Sequence, residues 1–136
     1  MTNAGYCLSI DIGRAGEHIA AAALSRMKVQ NVISQQMGFD IVAFTPQPRR
    51  IEVKTASRIS WKSKNHYAFM TSRGADKKTN LNAGDVDIVC LVALPLRCCV
   101  FKSIHDVKVK KLNLYVSLFN QSYEEQSWLE TLESLR

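Results

Sequence analysis

Two short runs of β-forming residues, Phe39 to Phe44 and Arg50 to Ala56, lie close together in the chain with Pro46 and Pro48 between them. Valine, isoleucine and phenylalanine in such runs are typical of β-strands. Proline cannot continue a central ladder because it lacks a backbone N–H donor, so the connection is expected to be a turn. The two runs are therefore predicted to form a hairpin, which fixes the side chains that face one another across it.

This hairpin is predicted to bring three ionisable side chains together. Side chains alternate between the two faces of a strand, so Glu52 and Lys54 share one face while Ile51 and Val53 point to the other. With the turn centred near Gln47, Asp40 is expected across from Lys54 and diagonal to Glu52. Two carboxylates and an ammonium would then converge.

The convergence of charges on apolar strands predicts a metal site. Burying unpaired charges costs several kcal/mol each, and a divalent cation resolves the conflict. Two carboxylates suit Mg²⁺, so we expect Mg²⁺ on Asp40 and Glu52, with Mn²⁺ able to substitute. Lys54 would stabilise an attacking hydroxide or charge on phosphorus, as metal-assisted phosphodiester hydrolysis requires. A structural salt bridge across the hairpin is the alternative, because a Glu-x-Lys tripeptide alone is weak evidence.

The charge of the chain favours a polyanionic partner. Lysine and arginine total 18 against 12 acidic residues, which gives a net charge of +6. Between Ile41 and Gly84 nine cations stand against two anions, so the middle of the chain carries the excess. The predicted contacts with nucleic acid are Arg49, Arg50, Arg58, Lys62, Lys64, Arg73, Lys77 and Lys78.

The remaining patterns predict an α/β fold in which a mixed central β-sheet is flanked by helices. A helix is expected at residues 15–27, then β-type runs at 31–35, 66–72, 86–94 and 98–104. Residues 73–84 are expected to form a basic surface loop, and residues 107–118 fit a strand or irregular structure. The capping-box form of Ser122 to Glu125 predicts a closing helix with an apolar stripe of Trp128, Leu129, Leu132 and Leu135. The length of 136 residues, without a linker, predicts one domain over 1–136.

Other features of the sequence indicate the cellular compartment of the protein. The longest apolar run, Ile88 to Leu96, is about half as long as a membrane-spanning helix requires. No basic stretch followed by an apolar block opens the chain, so a cytoplasmic protein without membrane association is expected. The spacing of the four cysteines fits reduced thiols that fill the core.

A few residues leave their roles open. Trp61 and Tyr67 lie among cations, where they fit either stacking on unpaired bases or packing in the core or at a sheet edge. Asp87 is expected to mark the entrance of a strand, with an approach to the site as the less favoured alternative. The three histidines lack the paired spacing of zinc ligands, so surface or hydrogen-bonding roles are expected.

These motifs, taken in order, resemble the PD-(D/E)XK nuclease superfamily, also called restriction-endonuclease-like. The resemblance runs from Gly13 to about Val100 and rests on three motifs, which are Gly16-Glu17 opening the first helix, Gly38-Phe39-Asp40 entering the second strand, and Ile51-Glu52-Val53-Lys54-Thr55 on the third. Phe39 stands where many members have proline. The layout is most similar to small Holliday junction resolvases and to compact homing endonucleases.

The resemblance implies a restriction-endonuclease-like core and a metal-dependent endonuclease acting on duplex or branched DNA. It implies that Asp40 and Glu52 ligate the metal and that Lys54 is the catalytic lysine. It also implies that Glu17 is a catalytic residue at the same edge, which contacts the metal or one of its ligands. Such enzymes commonly act as homodimers, so a homodimer is expected. The alternative is a non-catalytic nucleic-acid-binding or assembly module that keeps the fold, although such a module has no reason to retain two carboxylates facing a polyanion.

Overall fold

A long helix opens the chain and a shorter helix closes it, with the strands between them. The structure is a computed structural model that describes residues 4–34, 38–73, 79–80 and 83–136, with the backbone alone for 4–7, 72–73 and 79–80. Its elements are α1 (Ala4–Arg26), β1 (Asn31–Ile33), β2 (Ile41–Phe44), β3 (Pro48–Ala56), β4 (His66–Met70), β5 (Ser72–Arg73), β6 (Thr79–Asn80), β7 (Ile88–Ala93), β8 (Cys98–Ser103), β9 (Lys111–Tyr115) and α2 (Gln121–Ser134).

The first helix is longer than the sequence predicts. It begins at Ala4 instead of near residue 15, and it runs through Gly13 and Gly16 without a break. Glycine costs about 1 kcal/mol in a helix interior, which is why the glycines suggested a start. Burial of Ala20 and Leu24 against the sheet offsets this cost. Gly16 and Glu17 therefore lie inside the helix, and their predicted place at its opening is wrong.

Five strands form a mixed central sheet in the order β1-β2-β3-β7-β8. β3 and β7 are parallel, with Ile51 opposite Ile88, and the other neighbouring pairs are antiparallel. Every residue of β7 is buried, as expected for an apolar strand with neighbours on both sides. The predicted α/β fold with a mixed central sheet is confirmed.

Apolar cores lie on both faces of this sheet. On one face α1 and α2 share a core that includes Leu24, Ile51 and Trp128. On the other face β4 and β9 form a two-stranded sheet, and Tyr67 of β4 belongs with Phe119 to the core on this face. The flanking helices are confirmed, and both contribute to the same core. β9 also shows that residues 107–118 contain a strand.

The closing helix is confirmed, but its cap is not the predicted one. Asn120 is the N-cap residue, and its side-chain oxygen accepts a hydrogen bond from the Tyr123 N–H at 2.8 Å. Ser122 lies within the first turn instead. The apolar stripe is only partly buried, because Trp128 is 3% exposed whereas Leu129 is 66% exposed.

Three smaller predictions can also be compared with the described residues. Residues 73–84 were expected to be a loop, but the backbones of β5 and β6 pair within this stretch. Cys90, Cys98 and Cys99 are buried free thiols, which confirms core filling for them, while the Cys7 side chain lies outside the described residues. Among the described helices, none combines the length and the apolar character that crossing a bilayer would take.

Candidate active site

The hairpin of β2 and β3 forms as predicted, but its register differs by two positions. Ile41 pairs with Ile51 and Phe44 with Pro48, so the turn is centred on Pro46. Asp40 lies just beyond the last pair and is hydrogen-bonded to Ile51 and Val53, so its predicted position across from Lys54 is wrong. Pro48 occupies the first position of β3, where proline is tolerated, and the connection between the two strands is shorter as a result.

Asp40 is anchored to the backbone of β3 at the end of the ladder. Its N–H donates to the carbonyl oxygen of Ile51 at 2.8 Å, and its Oδ2 accepts a hydrogen bond from the N–H of Val53 at 2.8 Å. The carboxylate thus takes the place of a strand carbonyl and is held in one orientation. This contact joins Asp40 to the segment that carries Glu52 and Lys54.

Glu52 and Lys54 lie side by side on one face of β3. Lys54 Nζ is 3.2 Å from Glu52 Oε2, and their side chains are 23% and 14% exposed, respectively. Ile51 and Val53 are buried on the opposite face, which confirms the predicted alternation. The paired residues of β7 beside the two charges are apolar and buried, so the ion pair lies at the margin of a core.

Glu17 reaches the same region from α1. Burial raises its pKa, the negative charge of Asp40 raises it further, and Glu52 adds a smaller effect against the lowering by His18 and Arg14. The carboxyl group of Glu17 is therefore near enough to Asp40 and Glu52 to respond to their charges. A cavity of about 700 Å³ opens beside two of these residues, Glu17 and Asp40, which are part of its lining.

A close contact between α1 and β3 sets the position of Glu17. A Cβ built on Gly16 would collide with Oγ1 and Cβ of Thr55, so only glycine permits this approach of helix to strand. Gly16 precedes Glu17, and Thr55 follows Lys54. The contact therefore fixes the helix at the point where Glu17 joins the charges of the hairpin.

Gly16→Ala is expected to destabilise the protein by about 1–3 kcal/mol, because the added methyl overpacks the contact with Thr55. Gly13→Ala is the matched control, since a Cβ there meets nothing within 4 Å and should stabilise the helix by up to about 1 kcal/mol. Urea unfolding measures both, and Thr55→Ala should restore part of the loss in the double variant. Equal stabilisation by both alanines would contradict the contact.

The predicted nucleic-acid contacts fall into separate groups. Arg58, Lys62 and Lys64 are exposed on the segment between β3 and β4. Arg49 is half-buried, and within the described residues its Nε has no hydrogen-bond partner. Lys77 and Lys78 lie outside the described residues, as does the side chain of Arg73.

Arg50 is held within the protein. Its guanidinium donates to both carboxylate oxygens of Asp87 at 3.2 Å and to the carbonyl oxygens of Ala83 and Gly84 at 3.2 and 2.7 Å. Burial alone would raise the pKa of Asp87, but hydrogen bonds from Arg50 lower it overall. Asp87 therefore secures the start of β7 against β3, in line with its predicted place at a strand entrance.

Lys102 is a residue near the site that the sequence did not single out. On β8 it pairs with Val89, which pairs in turn with Glu52 on β3, so the three share one row across the sheet. It is half-buried, and it is the one charged residue of the otherwise uncharged strand Cys98–Ser103. This single charge in an apolar strand is the sequence feature that could have identified Lys102.

Comparisons with known proteins place this geometry in a structural context. No model of a known protein family matches the chain, and no curated protein matches its sequence. The fold is similar to that of a bacterial homing endonuclease. That structure, I-Ssp6803I, superposes with a TM-score of 0.71, and the match covers 90% of this chain and 93% of the endonuclease at 14% sequence identity. The likeness shows the fold, while membership of the PD-(D/E)XK superfamily stays a prediction.

A fold shared with the homing endonuclease does not define a metal site, so the donor atoms of this chain decide whether a metal fits. In the stretches that the structure describes, no three His, Cys, Asp or Glu side chains cluster tightly enough to enclose an ion. Mg²⁺ does not need such a cage, because it is usually held by one or two carboxylates together with water and phosphate oxygens. Asp40 and Glu52, with Glu17 nearby, fit this mode of binding.

Proposed function

We propose that this protein is a Mg²⁺-dependent DNA endonuclease that hydrolyses phosphodiester bonds in duplex or branched DNA. The observation that carries the proposal is the hairpin on which Lys54 lies 3.2 Å from Glu52 while the backbone N–H of Val53, between them, holds the carboxylate of Asp40. Two hard oxygen ligands beside a cation suit the chemistry of a phosphate ester. The similarity in fold to a homing endonuclease supports DNA cleavage at a coarse level.

In this proposal each residue has a separate task. Asp40 and Glu52 hold the cation, and Glu17 adds a contact from α1. A bound Mg²⁺ supplies neutralisation of phosphate charge and a water of lowered pKa. Lys54, 3.2 Å from Glu52, donates hydrogen bonds to the oxygen that gains negative charge in the transition state. The bond from the Val53 N–H keeps the Asp40 carboxylate oriented toward the site.

The exposed cations support DNA as the polyanion. Arg58, Lys62 and Lys64 follow β3 directly, so DNA bound along them would pass the end of the strand that carries Glu52 and Lys54. Contacts of this kind position the phosphate backbone and carry little sequence information. We further propose a homodimer, because cutting both strands of a duplex calls for two sites.

The test of this function is cleavage of defined DNA with and without divalent cations. Linear duplex, supercoiled plasmid, single-stranded and four-way-junction DNA are each incubated with Mg²⁺, with Mn²⁺ or with EDTA. We expect cleavage of duplex or junction DNA with either metal and none in EDTA. Absence of cleavage on every substrate, together with no metal binding at millimolar concentration and unchanged DNA affinity, would favour the non-catalytic module instead.

A further inference from the structure

Trp61 is exposed to an extent that packing does not explain. Its side chain is 83% exposed, whereas Trp128, the other tryptophan, is 3% exposed and packs edge-on against Phe101 with ring centroids 5.0 Å apart. Tryptophan is normally largely buried, because its ring contributes a large apolar area to a core. The ring of Trp61 contributes little of that area to the fold.

The surroundings of Trp61 combine apolar surface with positive charge. Trp61 lines a cavity of about 370 Å³ together with the partly exposed Ile59 and Met70. Arg58, Lys62 and Lys111 line the same cavity, and Lys62 Nζ lies 5.6 Å from the centroid of the indole. A flat aromatic surface ringed by cations matches a nucleotide, because the base can stack while the cations meet its phosphates.

The cavity adjoins the candidate active site. Its lining includes Thr55 and Ala56, which directly follow Lys54 on β3. Ala56 lies on the same face of the strand as Lys54 and about 7 Å further along it, from the rise of two residues. A nucleotide on Trp61 would therefore belong to the same stretch of strand as a phosphate held beside Lys54.

We propose that Trp61 is a stacking platform for an unpaired nucleobase in the DNA strand that enters the active site. Paired bases inside a duplex have no free face to offer, so the platform selects DNA with a single-stranded, flipped or mismatched nucleotide beside the scissile phosphate. The position next to that phosphate rests on the proposed endonuclease function. The stacking itself does not depend on cleavage.

Tryptophan fluorescence tests the stacking directly. In EDTA, the wild-type protein is titrated with a short single-stranded oligothymidylate, a blunt matched duplex of equal length, and inorganic polyphosphate. We expect the single strand to quench the emission of Trp61, whereas polyphosphate binds the cations without quenching. In Trp61→Phe only the buried Trp128 remains, so the quenching should disappear. Equal quenching by polyphosphate, or quenching that persists in Trp61→Phe, would overturn the proposal.

Affinity and cleavage provide the second measurement. Trp61→Ala should weaken binding of the single strand roughly 5- to 150-fold, Trp61→Phe should weaken it less, and duplex affinity should change less than about twofold. Leu129→Ala, which removes an apolar side chain that is 66% exposed on α2, is the matched control and should change neither. Equal losses for single strand and duplex would refute an unpaired-base platform.

The two proposals can fail separately. If the wild-type protein cleaves DNA and Trp61→Ala reduces cleavage equally on paired and mismatched duplexes, the endonuclease function is supported and the stacking platform is refuted. Quenching and selective loss of single-strand affinity in a protein that never cuts DNA would support the platform and reject the endonuclease. A selective loss of cleavage beside a mismatch supports both.

Discussion

Cleavage of DNA is expected to fall by on the order of a thousand-fold when Glu52 is replaced by Gln or Asp40 by Asn. Each change would remove a charged ligand of the proposed metal, and a bound metal contributes several kcal/mol to stabilisation of the transition state. DNA binding should survive or tighten, because one negative charge beside the phosphate is lost. Parallel gel-shift and cleavage assays in Mg²⁺ measure both effects.

The controls separate loss of the metal from loss of the fold. Asn at position 40 keeps an oxygen that can accept the hydrogen bond from the Val53 N–H, so Asp40→Asn should melt near the wild-type temperature. Glu125→Gln makes the same chemical change at an exposed position on α2 and should cut normally. Calorimetric titration should show weakened Mg²⁺ binding in the two site variants. Full activity in either one would remove that residue from the site.

The hairpin was predictable because it depends on a residue pattern within two strands that are neighbours in the chain. Alternation along β3 places Glu52 and Lys54 on one face whatever the rest of the chain does. The register was not predictable to the same degree, since it depends on whether Pro48 belongs to the turn or to the strand. Proline is tolerated in either position, and only the pairing of Phe44 with Pro48 in the folded sheet shows that Pro48 belongs to the strand.

Long-range packing explains the remaining differences. The helix α1 runs on through Gly16, where it packs closely against Thr55, and this contact joins residues far apart in the chain. The parallel pairing of β3 with β7, and with it the ion pair of Arg50 and Asp87, needs a crossover that no local pattern encodes. Arg50 was predicted to contact DNA because it lies in the basic middle of the chain, but a count of cations cannot show which of them form ion pairs within the protein.

The role of Lys54 is the point at which a structural and a catalytic interpretation of the site differ most. As part of a structural ion pair with Glu52, a partly exposed lysine would contribute about 0 to 1 kcal/mol to stability and nothing specific to a rate. As a catalytic group it acts on charge that develops only in the transition state. The 3.2 Å distance between the two side chains is compatible with either role.

Lys54→Met is therefore expected to lower the single-turnover cleavage rate by roughly 100- to 1000-fold at saturating DNA, with little change in affinity. Methionine keeps the length of the side chain without its charge. Lys64→Met is the matched control, because it removes an exposed cation from the segment between β3 and β4 that we propose to contact DNA, and it should change affinity but not the saturated rate. Thermal melting of the same proteins measures stability. A Lys54→Met variant that melts slightly lower yet cuts at the wild-type rate would leave Lys54 as a structural partner of Glu52, and the carboxylates alone would have to account for any cleavage.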